Sequence, residues 1–447
     1  MFKIHHITNS FISIESKNSI LTCDPWIGKT SDNGWCSYPI RSLKDIDQKI
    51  FKSNFIYISH LHCDHLDFKT LKKFKNKDLT FIIKKFDNGI LKKRLKKLTN
   101  KKIIELKAFK KKKINKDFTI AIIPQLLSNT SNIQDDIQYD LDTSIIIQSN
   151  KDKTIFYNNV DNSLNLNILK KINIFVKKKF KKKIDVFTCG LGAASEFPQT
   201  FLNIKRKKEK DYIIKRSLRE IKQYINYLRP KIYFPSGGTY TIYGKFHRLN
   251  KYVAQPNFFE ITKSLKNLNV KIFNLIGGGS IDVYKSKFFF KDSKFNDEIE
   301  LKNTFISKTK LLDYYYTKKN NLINIKKLNS LYEKSKINYF RILKKINLLP
   351  NWKIKFHIFK KLELNEQCLI DKKKSKIIKT YELNSKNFLK KQKFPLLECY
   401  LEYDLFESLL AGNFPWNTSL SGSTIMFKRR PNKFNSNMVF SLNFLKI

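Results

Sequence analysis

Three of the chain's seven histidines fall within six positions, in Ser59-His60-Leu61-His62-Cys63-Asp64-His65-Leu66-Asp67. Imidazole nitrogens and carboxylate oxygens together suit zinc or iron. His60 and His62 stand two apart, so on an extended segment they face one way and converge on one ion while Leu61 faces the other. Asp64 and His65 are adjacent and can face a second position beside the first. Two ions roughly 3.5–4 Å apart activate water as a nucleophile at neutral pH. The plain alternative is a polar turn with satisfied core histidines. A buried cluster of three imidazoles and a carboxylate is costly without a cation, which favours the metal.

The flanking segments must position these groups. Asn54-Phe55-Ile56-Tyr57-Ile58 is short, apolar and β-prone. Asp67-Phe68-Lys69-Thr70-Leu71-Lys72-Lys73-Phe74 carries apolar residues at helical spacing. The cluster therefore sits on a strand-to-helix turn. Ahead of it, short alternating runs within 2–24 predict an antiparallel meander that ends at Cys23-Asp24-Pro25-Trp26, because proline has no N–H for the ladder. Asp24 thus lies at a strand end, as a site residue or as a turn acid. Beyond the cluster, strands are expected over 79–83, 102–106 and 118–123, with a lysine-rich helix over 89–98. A hairpin over 143–157 leads into Asn158-Asn159-Val160-Asp161-Asn162. Asp161 follows that apolar strand, as a metal ligand or as the cap of the next helix.

Two glycine loops follow strands. Gly190-Leu191-Gly192-Ala193-Ala194-Ser195 succeeds 184–189, and Ser236-Gly237-Gly238 succeeds 231–235. Small residues there let backbone approach a ligand, so Gly190, Gly192, Ser195, Gly237 and Gly238 are candidate substrate contacts. An amphipathic helix over 208–228 separates the loops, and His247 follows the second. Residues 290–447 hold no ligand cluster; helices are expected at 340–343 and 405–410, and strands at 352–359 and 437–444.

Composition narrows the class. The chain has 447 residues, of which 41% are hydrophobic, enough for a real core. Six scattered cysteines without a CxxC pair fit a reducing cytoplasm. No apolar leader opens the chain, and no apolar run approaches the roughly 20 residues of a membrane span. The formal net charge is +50, but the lysines are spread throughout, which points to compositional bias more than to a nucleic-acid face. The runs 110–113 and 177–183 are expected to be solvated connectors.

His60-Leu61-His62-Cys63-Asp64-His65 resembles the signature of the metallo-β-lactamase superfamily. That resemblance implies an α/β (α+β) fold, a four-layer αββα sandwich over 1–289, with an additional C-terminal α+β region over 290–447. It also implies a divalent metal, zinc or iron, as one or two ions. His60, His62 and His247 would hold one ion, and Asp64, His65 and Asp161 would complete or bridge a second position. Asp64 could instead orient the attacking water as a general base. Within the superfamily, Cys23-Asp24-Pro25-Trp26, Asp142-Thr143-Ser144, both glycine loops and Leu410-Ala411-Gly412-Asn413-Phe414-Pro415-Trp416-Asn417 are similar to the catalytic part of CMP-N-acetylneuraminate hydroxylase and its bacterial relatives. So are Gly422-Ser423 and Phe427-Lys428-Arg429-Arg430-Pro431. The similarity implies an N-acylated amino sugar or nucleotide sugar as the small-molecule substrate. These residues contain no Rieske pattern of paired Cys and His, so oxygenation would draw on a separate electron donor. The family's further histidine is missing between 66 and 246, where Gln138 stands near its place; one well-formed ion or an asymmetric pair is expected. A zinc hydrolase of a phosphoester or amide, a nuclease of the same fold and a metal-poor binding protein are the alternatives.

Overall fold

The computed structural model describes residues 2–28, 34–39, 41–86, 89–125, 142–190, 192, 195–237, 239–242, 244–284, 287–291, 314–317, 322–348, 350–384 and 395–447. Gln138 and Gly238 lie outside them.

The expected meander is present. Strands β1 (Phe2–Thr8), β2 (Phe11–Glu15) and β3 (Ile20–Cys23) pair antiparallel, and β4 (Phe55–Tyr57) then joins β3 in parallel. They belong to an eight-stranded sheet that runs on through Thr80–Lys84 to Lys102–Leu106. A seven-stranded sheet contains Phe118–Pro124, Thr143–Ser149, Ile155–Asn158, Val186–Cys189 and Ile232–Pro235. The last three of these strands are parallel and buried along their length, as apolar runs covered on both faces must be.

The two sheets pack face to face. Ile4, Ile14, Leu21 and Ile82 of one meet Ile120, Ile145, Phe156 and Val186 of the other. The outer face of the seven-stranded sheet is covered by the helices Leu166–Phe180, Arg206–Leu228 and Phe258–Leu265. Ile50, Leu71 and the helix Ile90–Leu98 cover the outer face of the other sheet. The layer order is therefore helix, sheet, sheet, helix. Among the described residues no helix is long and apolar enough to cross a membrane.

The C-terminal region builds a four-stranded sheet from Lys353–Phe359, Ile377–Leu383, Leu396–Glu402 and Met426–Arg430, backed by the helix Ile325–Lys345. Its core is continuous with loops of the sandwich. Trp26, Trp35, Phe201 and Tyr240 share one apolar cluster with Phe356, Phe406, Trp416 and Phe427. Phe427 stacks on Phe201 with ring centroids 5.4 Å apart, and its amide donates to the Thr200 carbonyl at 3.0 Å. Phe427→Ala is expected to cost about 3–5 kcal/mol in one cooperative urea transition. Two separate transitions with only one displaced would contradict a shared core.

Two local expectations are corrected. Residues 437–444 are not a strand. Asn435 caps a helix over Ser436–Ser441 through the Met438 amide at 3.0 Å, and Met438, Leu442 and Leu445 are buried at helical spacing. The run 177–183 is only partly a connector. Lys177, Lys178 and Lys179 form the last turn of Leu166–Phe180, where cations meet the carbonyl end of the helix dipole.

Candidate metal centre

Strand β4 lies between β3 and Thr80–Lys84, and its carboxyl end delivers Ser59 and His60. The chain then tightens into a turn in which the amides of His65 and Leu66 both donate to the His62 carbonyl. Asp67 stops the turn by accepting from the amides of Lys69 and Thr70, which starts the helix Phe68–Leu71. The motif is thus clamped at both ends.

The donor atoms converge. His60 Nε2 lies 2.8 Å from His62 Nδ1 and 3.3 Å from Asp142 Oδ1. His65 Nε2 lies 3.1 Å from Asp161 Oδ2 and 3.4 Å from Asp64 Oδ2. Two ligand groups result, His60/His62/Asp142 and His60/His65/Asp161, each with its donor atoms within 4.8 Å of one another. They overlap at His60, so the donors form one compact cluster of three imidazoles and two carboxylates. That nitrogen-and-oxygen set fits zinc or iron.

Groups behind the ligands hold them. Asp24, fully buried at φ +43°, accepts from the Ser59 amide at 2.8 Å and meets His65 Nδ1 at 3.1 Å. A carboxylate on the far nitrogen of a ligating imidazole fixes its tautomer and direction. Ser59 Oγ lies 2.8 Å from His60 Nδ1. The Asn9 side-chain amide donates to Asp64 Oδ2 at 3.3 Å, while the Asn9 carbonyl is held by the Gly237 amide and by His6 Nε2 at 2.7 Å. Burial lowers the pKa of His60 well below its usual value, and the charges of His65 and His62 add to it. Burial pushes His65 the same way, but Asp64, Asp161 and Asp24 outweigh it and hold that pKa well above the usual value.

Asp161 follows Ile155–Asn158, and Asn165 rather than Asp161 caps the helix Leu166–Phe180. It opens on a cleft of 540 Å³ whose wall also includes Gly190, Gly192, Ser195, Tyr240 and Arg429. Gly237 abuts Asp161 from behind: a Cβ there would stand 3.3 Å from Asp161 Oδ1. His247 stands outside both ligand groups. It lies in the 3-10 helix Gly244–Tyr252 with Nδ1 3.0 Å from the Gly244 carbonyl, and the neighbouring Phe246 amide donates to Tyr314 Oη. Asp142, placed by the sequence only in a family motif, supplies the carboxylate beside His60 and His62. It immediately precedes the strand Thr143–Ser149, a strand-start acid that carries little signal on its own.

The comparisons with known proteins follow this geometry. No protein-family model matches the chain. Cytidine monophosphate-N-acetylneuraminic acid hydroxylase from Xenopus laevis is 26% identical over 289 residues, covering 61% of this chain and 43% of the frog protein. The hydroxylase of Cricetulus griseus is 25% identical over 285 residues, covering 61% of this chain and 45% of its own length. The chain therefore spans about half or less of the length of the curated relatives it matches. Among solved structures, the diiron β-hydroxylase CmlA from Streptomyces venezuelae aligns at TM-score 0.42 and 10% identity, over 65% of this chain and 54% of that one. The metallo-β-lactamase fold protein YhfI from Bacillus subtilis aligns at TM-score 0.38 and 11% identity, over 62% and 98%. The layer order and the His-x-His-x-Asp-His turn at the strand ends are those of the metallo-β-lactamase fold.

Within that fold, one support of the centre titrates. Burial holds the His6 imidazole down to about 4, against 6.5 when free. Between those values the unfolded chain binds a proton that the folded chain refuses, so stability rises with pH across the window and falls as pH drops through it. The expected loss is about 3 kcal/mol. Urea titrations at about pH 7 and about pH 4.5 should show a larger loss in the native protein than in His6→Asn. Equal losses would remove His6 from the account.

Proposed function

We propose that the chain modifies an N-acylated amino sugar or its nucleotide, in the manner of the CMP-N-acetylneuraminate hydroxylases it resembles. The observation that carries this is the convergence of His60, His62, His65, Asp142 and Asp161 beside the 540 Å³ cleft. Those five residues would hold the metal, with Asp64 beside them. When bound, the metal supplies Lewis acidity and, if it is iron, redox chemistry. The protein does the rest. Asp24 and Ser59 keep His65 and His60 aimed, and Asn9 fixes Asp64 as a carboxylate that can take a proton. The small residues Gly190, Gly192 and Ser195 leave room for substrate beside Asp161.

A second reading is hydrolysis of an amide or phosphoester with zinc. It is favoured by the six cysteines, all free thiols with five of them buried, and none placed as half of an iron–sulfur site. On the hydroxylase reading, electrons come from a group outside these 447 residues.

Elemental mass spectrometry on protein purified without oxygen or added metal separates these. About one or two irons per chain, with addition of one oxygen atom to CMP-N-acetylneuraminate that depends on oxygen and on an added two-electron reductant, is the expected result. Zinc with release of a hydrolysis product selects the second reading. A chain without metal ends both.

A further inference from the structure

The far wall of the cleft comes from the C-terminal region. Arg429 lies on the strand Met426–Arg430, 8% exposed, with its guanidinium 4.5 Å from the ring centroid of Phe197 and 4.7 Å from that of Phe201. Its Nε donates to Asn432 Oδ1 at 2.8 Å. That one bond fixes the plane of the fork. The two Nη groups make no hydrogen bond, and no carboxylate lies within ion-pair distance of Arg429 among the described residues. Neither Nη is sealed from solvent, since Arg429 contributes none of the buried unpartnered polar atoms. A planar, preorganised cation with two free donors is built for a planar or tetrahedral oxyanion.

We propose that Arg429 is a binding residue for an oxyanion of the substrate, a carboxylate or a phosphate, held in the cleft that Asp161 also lines. The proposal rests on the reading of this cleft as the substrate site. The other charges of the cleft allow it. Arg216 is half exposed and lies 3.7 Å from Glu220, whereas Arg429 is buried and held between rings. Glu196 is the acid whose charge acts most on Arg429, and burial raises its pKa while Arg429 pulls it down. The neighbouring rings also stiffen the site, because a stacked guanidinium loses little further freedom on binding.

The test compares the holoprotein with Arg429→Gln and Arg429→Lys at equal metal content. Inorganic phosphate and acetate are titrated separately by calorimetry, and circular dichroism checks the fold. Arg429→Gln is expected to weaken one or both anions at least tenfold. Arg429→Lys keeps the charge but loses the fork, and is expected to fall between. Loss confined to phosphate assigns the site to a phosphate, and loss for acetate as well assigns it to a carboxylate-accepting pocket. Unchanged affinity for both anions in the lysine and glutamine variants, or in the lysine variant alone if the other does not fold, overturns the proposal. Metal content reads the underlying cleft assignment independently. A metal-free native protein would end the proposed function, whereas the anion titrations would still decide the role of Arg429.

Discussion

Asp24→Ala lowers metal affinity by about 10–100-fold and removes about 3–5 kcal/mol from the fold. Both effects have the same origin. Asp24 is fully buried between the Ser59 amide and His65 Nδ1, and its own pKa is raised by burial against the pull of His65. Alanine leaves a donor on each side without an acceptor, in a place water does not reach. His65 is then free to turn, and the metal loses a directed ligand. Asp24→Asn separates the two effects. Its amide oxygen can still accept from the Ser59 amide, so most of the fold survives, but the charge that favours a particular His65 tautomer is gone. Competition with a chelator of known affinity, beside a urea titration, reads both. An Asp24→Ala protein that binds metal as tightly as the native one would show that Asp24 is only a turn acid.

Gly237→Val should abolish tight metal binding at a modest cost in stability. Gly237 sits at φ +76°, where a side chain is strained, and its missing Cβ would meet Asp161 Oδ1 and Ser10 Oγ at 3.3 Å each. Backbone strain of that kind costs about 1–3 kcal/mol. The steric demand falls on the carboxylate that faces His65, which must move. Gly89 supplies the control: it has φ +58° and nothing within 4 Å of the same virtual atom. Gly89→Ala is therefore strained without touching the site. Metal titration should lose at least tenfold in affinity for Gly237→Val and almost nothing for Gly89→Ala. Equal metal affinity in the two variants would mean that the glycine loop does not support Asp161.

The sandwich was legible because its strands are short, apolar and punctuated by glycine, proline and asparagine, and because three histidines in six positions mark the turn. What could not be read were contacts between distant parts of the chain. Asp24 was visible as a strand-end acid, but nothing local says that its carboxylate reaches His65. His247 had a plausible setting after a glycine loop, yet the chain enters a 3-10 helix whose packing is set by Tyr314 and by the pair Lys245–Glu402. Arg429 stood in a family motif with no hint of a role, since its neighbours Phe197 and Phe201 are brought to it only by the shared core.

That core bears on how the enzyme acquires its metal in a growing cell. Thr418 Oγ1 donates to Cys63 Sγ, inside the histidine motif, from 355 positions further along the chain, and the indole of Trp35 donates to the Thr418 carbonyl. At a synthesis rate of about 5–20 residues per second, the histidines leave the ribosome roughly 20–70 s before the segment that braces them. During that interval the ligands are exposed without their final support. The brace on the histidine motif is thus completed only at the last stage of folding, when the segment around Thr418 docks on Cys63.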